Sequence, residues 1–313
     1  MFQKTKINIS FDVEDIYGNQ ALLNDTLYEI LSFCNSKKII VDIYVSAIRY
    51  ETLKEHKELM QILKESNYIN VGYHSNSHSF ATIPEQNSFD QLKKTEELCF
   101  DFKTEKFTEN DGGILKFQDD LKTKLFRCPG FCWTPDYFSL MKMYNMKYTT
   151  IDIDYSLPFK FMDLIIIPTI MKSLEKMKTF QDFDNIVDGN YKSVYLHPAR
   201  LIYNHFWDKL KNNTYHVLKS RDIYPDYKQR IQFVKDLLLY ISQNYEIFSL
   251  TQLEFEEKMS MDIVSLKKQL SNSMTEKWRW SQITGNIDKD YHVSKLQKEF
   301  STVNTGTAIV MRN

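Results

Sequence analysis

Two histidines four residues apart, His74 and His78 in the run GYHSNSH, are the first residues whose spacing suggests chemistry. On a helical turn, side chains at i and i+4 share a face, so both imidazoles could reach one cation. A carboxylate cluster lies upstream in SFDVED, where an apolar run ends in Asp12, Glu14 and Asp15. Two imidazoles and one carboxylate leave positions on a metal open for water and substrate, which is what metal-assisted hydrolysis requires. Downstream, FRCPGFCWTP places Arg127 before a Pro-Gly turn at 129–130 and adds Trp133, whose flat face suits a sugar ring. YLHP carries His197, and TTIDID carries Asp152 and Asp154. Each feature also has a plain structural alternative. Acidic residues after a strand cap the next helix, histidine pairs sit on surfaces or in cores, a lone arginine is solvated, a tryptophan packs, and either aspartate is a loop charge.

The elements that would position these residues are legible from periodicity. Alternating or apolar runs predict strands over 6–12, 39–45, 69–73, 125–128, 148–153, 164–170, 193–196 and 246–250. Leu23, Leu27, Ile30 and Leu31 form one helical stripe, a second helix is expected over 51–65, and Ile231, Val234, Leu238 and Ile241 mark a third. The Asp-Gly-Gly turn at 111–113 lies in a polar stretch that reads as an inserted loop or hairpin. Strands alternating with helices predict an α/β fold with parallel strands and right-handed crossovers, either a barrel or a doubly wound sheet. Carboxylates and histidines at the C-terminal ends of such strands stand where α/β barrels place their catalytic groups.

Composition narrows the partners. The 313 residues carry 40 basic and 41 acidic side chains, a balance that gives no support for nucleic-acid binding. Cys34, Cys99, Cys128 and Cys132 are scattered without a CxxC pair, so they read as reduced packing thiols. Asp12 and Glu14 interrupt the stretch that a signal peptide would need to keep apolar. The most apolar run elsewhere, LIIIPTIM from Leu164, is short and contains a proline, so no membrane span is expected and the chain is expected to be cytoplasmic.

The order of the motifs resembles the polysaccharide deacetylases of the NodB type, carbohydrate esterase family four. That family has a strand ending in Asp, then H-S-x-x-H, R-x-P, a later Asp and L-x-H. The matching segments here are SFDVED, HSNSH, RCP, Asp152 and LHP, spanning roughly residues 6–200. The resemblance implies a distorted (β/α) barrel of the NodB homology type and a single divalent metal, zinc above others. It matches Asp12 to the general base, His74 and His78 to metal ligands, and Arg127 to the residue that positions the base. Asp152 matches the partner that orients the acid, and His197 matches the general acid itself. The Gly130 backbone N–H falls where the family stabilises the oxyanion.

Two departures stand out. The family commonly has adjacent aspartates, whereas here Asp12 is followed by Val13, Glu14 and Asp15. Side chains at i and i+2 of a strand end share a face, so Glu14 is the expected third ligand and Asp15 the alternative. The interval from His74 to Arg127 is long and leaves room for a loop over the site.

A barrel over 1–257 and a C-terminal helical extension over 258–313, with Met259, Ile263, Leu266 and Leu270 at helical spacing, are therefore expected. The implied activity is hydrolysis of an N-acetyl group, less readily an O-acetyl group, on an amino sugar. Such a substrate would be nucleotide-linked, lipid-linked or an oligosaccharide used in surface polysaccharide biosynthesis. Trp133 is the expected sugar platform. Two other readings remain: a metal-free amidohydrolase acting on a small amide or ureide, and a catalytically silent glycan-binding module.

Overall fold

The computed structural model describes residues 5–78, 89–131, 135–151, 158–161, 163–187, 191–211 and 214–253. Seven of its strands are β1 (Lys6–Val13), β2 (Val41–Val45), β3 (Ile69–Tyr73), β4 (Leu125–Phe126), β5 (Tyr148–Ile151), β6 (Leu164–Ser173) and β7 (Tyr191–Leu196). Each pairs in parallel with the next, and β7 returns to β1, so the sheet closes on itself. The expected α/β barrel is therefore the observed one, with a distorted ring. β4 contributes only two residues, and the β6–β7 seam shifts register. Phe159–Phe161 runs antiparallel beside β6, and Glu246–Ile247 pairs with the start of β1.

Strand alternation divides the apolar residues into two layers. Ile7, Ile9, Phe11 and Val13 of β1 face outward into a core shared with Ile43, Ile166 and Val194 of other strands. The helices Gln20–Lys37 and Tyr227–Asn244 cover that layer with the stripes anticipated above, Leu27 and Leu31 from the first and Val234 and Leu238 from the second. Residues of opposite parity, among them Tyr44, Leu125, Tyr148 and Ile167, form a second apolar cluster with Phe248, Leu250 and Leu253. This cluster fills the lower part of the barrel and is the reason the ring is packed rather than hollow.

The inward residues of β1 are polar, Asn8, Ser10 and Asp12, and all are buried. Burying them requires partners. Asn8 donates to Asp42 at 2.7 Å and accepts from Ser193 at 2.8 Å. Asp42 also accepts from the Ser249 hydroxyl at 2.6 Å and the Leu250 N–H at 3.0 Å. This polar layer ties the segment after the last helix into the floor of the barrel.

Three local expectations change. The helix predicted over 51–65 is two helices, Ala47–Leu53 and Lys57–Glu65. The second begins where His56 Nδ1 accepts the Leu59 N–H at 3.1 Å, an N-cap that periodicity does not reveal. Pairing at 125–128 ends at Phe126, and the strand predicted over 246–250 turns after Ile247 to place Leu250 on the floor. The polar stretch around 111–113 holds the hairpin Leu98–Asp101 with Lys106–Asp111, followed by the helix Gly113–Leu121. The C-terminal extension and its boundary lie outside the described residues. No helix among the described residues is long and apolar enough to cross a membrane.

Gly72 of β3 faces inward, where an added Cβ would come within 2.8 Å of the Tyr44 ring and 2.9 Å of Leu125 Cβ. Tyr44 is fully buried and cannot swing away. Gly72→Ala should therefore cost about 1–3 kcal/mol of stability through overpacking. Chemical denaturation measures this, and an unchanged midpoint would mean that the barrel interior is looser than described.

Candidate metal centre

The candidate residues converge at the C-terminal ends of the barrel strands. Asp12 and Glu14 come from the end of β1, His74 follows β3, Arg127 follows β4, and His197 follows β7. Among the described residues, Glu14, His74 and His78 form one group able to hold a metal, with ligand atoms all within 4.8 Å of one another. All three side chains are buried.

The loop that carries both histidines is not a helical turn. Residues 74–78 are irregular, and Ser75 and His78 take positive φ values of 62° and 50°. The two imidazoles do come together, but not through the helical turn that the i, i+4 spacing predicts. Tertiary hydrogen bonds hold the loop instead. His74 N–H donates to Val45 O at 3.0 Å, while Ser75 O and Asn76 O each accept at 3.0 Å from Ala47 and Ile48. Asn76 N–H donates to buried Glu96 at 2.8 Å, and the Tyr73 hydroxyl donates to the same carboxyl. The two imidazoles end with ring centroids 4.9 Å apart.

Protonation follows from the partners. His74 Nδ1 lies 2.8 Å from the Arg127 carbonyl, which can only accept, so the proton is on Nδ1 and Nε2 carries the lone pair. Burial lowers this imidazole to about 3, so the ring is neutral, as a metal ligand must be.

Arg127 is fully buried and has its donors placed around Asp12. Nη1 donates to Asp12 Oδ1 at 2.5 Å, Nη2 to Ser10 Oγ at 2.8 Å, and Nε to Thr150 Oγ1 at 2.8 Å. The guanidinium also stacks 4.0 Å from the Tyr44 ring centroid. Burial pushes the Asp12 carboxyl up, but the charge and hydrogen bond of Arg127, with the charge of His197, outweigh it and hold Asp12 below its ordinary value.

Charge pairing at the rim singles out Glu14. Asp12 pairs with Arg127, and Asp15 pairs with Arg221 from a distant loop. Glu175 pairs with His197 at 2.9 Å. Among the described residues Glu14 has the His197 Nε2 at 3.8 Å as its nearest cationic group, and its Oε2 is buried without a hydrogen-bond partner. Burial pushes the Glu14 carboxyl up to about 7. An orphaned carboxylate oxygen beside two imidazoles fits a divalent cation, and the two-nitrogen, one-oxygen donor set is one zinc accepts. Asp15, the alternative ligand, is committed to Arg221.

His197 Nε2 faces both Asp12 Oδ2 and Glu14 Oε1 at 3.8 Å. Burial opposes its charge, but Glu175, Glu14 and Asp12 outweigh burial and push it up to about 9. Gly130 lies in the turn Pro129–Phe131 just after Arg127, at a φ of 56° that glycine adopts without strain. Asp152 and Trp133 lie outside the described residues. An indole that no motif marks does approach the cluster: Trp207, 6.2 Å from His78 and 5.7 Å from Tyr17 between ring centroids.

No family model matches the chain, and no curated protein matches its sequence. Solved structures do resemble it. One is the 4-alpha-glucanotransferase of Thermococcus litoralis, at 10% identity and a TM-score of 0.48, covering 79% of this chain and 38% of that one. Another, from Mycobacterium smegmatis and described as a polysaccharide deacetylase, has 10% identity and a TM-score of 0.49 and covers 79% and 86%. A CE4 esterase of Streptococcus mutans has 12% identity and a TM-score of 0.42 and covers 78% and 85%. The chain thus spans under two fifths of the glucanotransferase, and several similar structures carry the CE4 or polysaccharide deacetylase description. At these values the likenesses do not bear on chemistry, which rests on the geometry above.

Replacing Arg127 by Met keeps bulk but leaves the buried Asp12 carboxylate without its cation. The expected loss is about 3–5 kcal/mol of stability. Denaturant titration of Arg127→Met measures it, and a loss under about 1 kcal/mol would show that the pair does not anchor the site.

Proposed function

We propose that this protein is a metal-dependent deacetylase acting on an N-acetylated amino sugar, in a step of surface polysaccharide biosynthesis. The observation that carries the reading is the convergence of Glu14, His74 and His78 on one point, with Asp12 and His197 beside it.

In this reading Glu14, His74 and His78 hold one divalent ion, zinc by donor set. When bound, such an ion polarises a carbonyl oxygen and acidifies water. Asp12 takes the proton of the attacking water, and Arg127 fixes the carboxylate so that Oδ2 faces the reaction space. His197 delivers a proton to the departing amine through Nε2. An amide needs this help because an unprotonated amine is a poor leaving group. Gly130 supplies a backbone N–H to the developing oxyanion. Trp207 packs beside His78 and Tyr17 packs against Trp207, so aromatic rings flank this side of the cluster.

Acetate release from acetylated sugar nucleotides, amino-sugar oligosaccharides and lipid-linked sugars tests the proposal. Activity should vanish on chelation, return with zinc, and fall roughly a hundredfold or more in His197→Gln while bound zinc and melting temperature persist. Activity that survives chelation, or full activity in His197→Gln, would contradict it.

A further inference from the structure

We propose that Glu175 is the positioning residue of His197, fixing its tautomer and ring direction in the place that the family resemblance gives to Asp152. The inference rests on the functional reading above for its catalytic consequence. Its geometric basis is independent of that reading.

The closing seam of the barrel delivers Glu175 to this position. β6 pairs with β7 at Thr169↔Ser193 and again at Ser173↔Tyr195, so β6 advances four residues while β7 advances two. A bulge of this kind re-aims the side chains that follow it. Continuing the shifted register sets residue 175 opposite residue 197, in the short turn Leu174–Lys176. Without the extra residues, Glu175 would lie beyond the histidine.

Both carboxylate oxygens of Glu175 are used on one residue. Oε1 accepts from His197 Nδ1 at 2.9 Å, and Oε2 accepts from the His197 backbone N–H at 3.3 Å. Gripping ring and backbone together removes the freedom of χ1 and χ2, and a proton held on Nδ1 leaves Nε2 pointing at Asp12 and Glu14. Phe206 and Tyr195 pack edge-on against the ring at 4.8 and 5.3 Å between centroids, so its plane is held from the sides as well. The Glu175 side chain is 5% exposed, which keeps water from competing for the bond.

Glu175→Gln discriminates a positioning role from a structural one. Two donors converge on residue 175, and an amide offers one acceptor oxygen. If that oxygen keeps the backbone N–H, the amide NH2 faces Nδ1, which must then accept, and the ring loses the doubly protonated form that can give up its Nε2 proton. The expected result is a fall in kcat of at least about a hundredfold, with KM, bound zinc and melting temperature near those of the parent. Glu175→Asp, which keeps the charge, should recover part of the loss.

A second readout needs neither metal nor turnover. Nitrogen-15 NMR of the ring nitrogens in metal-free protein, assigned by the signal lost in His197→Gln and recorded at a pH high enough for the ring to be neutral, should show Nδ1–H on His197 in the parent. That signature should be lost in Glu175→Gln and kept in Asp152→Asn. An Nε2–H tautomer in the parent would overturn the proposal. So would ring signals that move in Asp152→Asn but not in Glu175→Gln, or melting temperature and activity falling together in both Glu175 variants. Absence of acetate release by the parent would remove the functional reading alone, since the ring signals still decide what holds His197.

Discussion

The ion pair between Arg127 and Asp12, closed inside the barrel, is the constraint on which the site depends. A buried arginine is tolerated only with its donors satisfied, and here they are spent on β1 through Asp12 and Ser10 and on Thr150 of β5. The carbonyl of the same residue accepts from His74 and so sets the tautomer of a candidate metal ligand. Its N–H donates to Tyr73 O at the end of β3. One residue thus fixes the base, aims an imidazole and joins the ends of several strands. Tyr44 lies beneath the guanidinium, and Gly72 leaves the space for Tyr44.

Charge balance around this pair accounts for the remaining geometry. Among the described residues four carboxyl groups gather at the mouth, Asp12, Asp15, Glu175 and Glu14, and three have a close cation: Arg127, Arg221 and His197. Glu14 is the remainder. Burying it with an orphaned oxygen costs stability unless a cation completes the set, and the His74 and His78 imidazoles stand beside it. The barrel floor pays for this polar cavity with its own apolar cluster, which keeps the strands in register below the site.

Much of this was legible in the sequence because type and position coincided. A strand ending in carboxylates, an H-S-N-S-H run and a later L-H-P each place ionisable residues at strand ends, and the barrel gathers strand ends at one mouth. The polar side of β1, Asn8, Ser10 and Asp12, was visible as alternation within KINISFDV. What escaped depends on contacts distant in sequence. Asp15 pairs with Arg221, 206 residues away, an ion pair that no local pattern announces. Glu175 reaches His197 through a register shift, and periodicity cannot report a bulge. The histidine loop was expected to be helical because spacing alone carries no information on a positive φ at Ser75. The split of the helix predicted over 51–65 has a similar cause, since His56 is a less common capping residue.

The most direct test of the account is X-ray absorption at the zinc K-edge on protein loaded with one equivalent of zinc. Cys128, one residue beyond Arg127, is a buried thiol close in sequence to the site and offers a built-in alternative donor. The account predicts two imidazole nitrogens with oxygen donors at about 2.0–2.2 Å, no sulfur, and collapse of the imidazole scattering in His74→Ala. A shell containing sulfur, or one made only of oxygens and unchanged in His74→Ala, would contradict it.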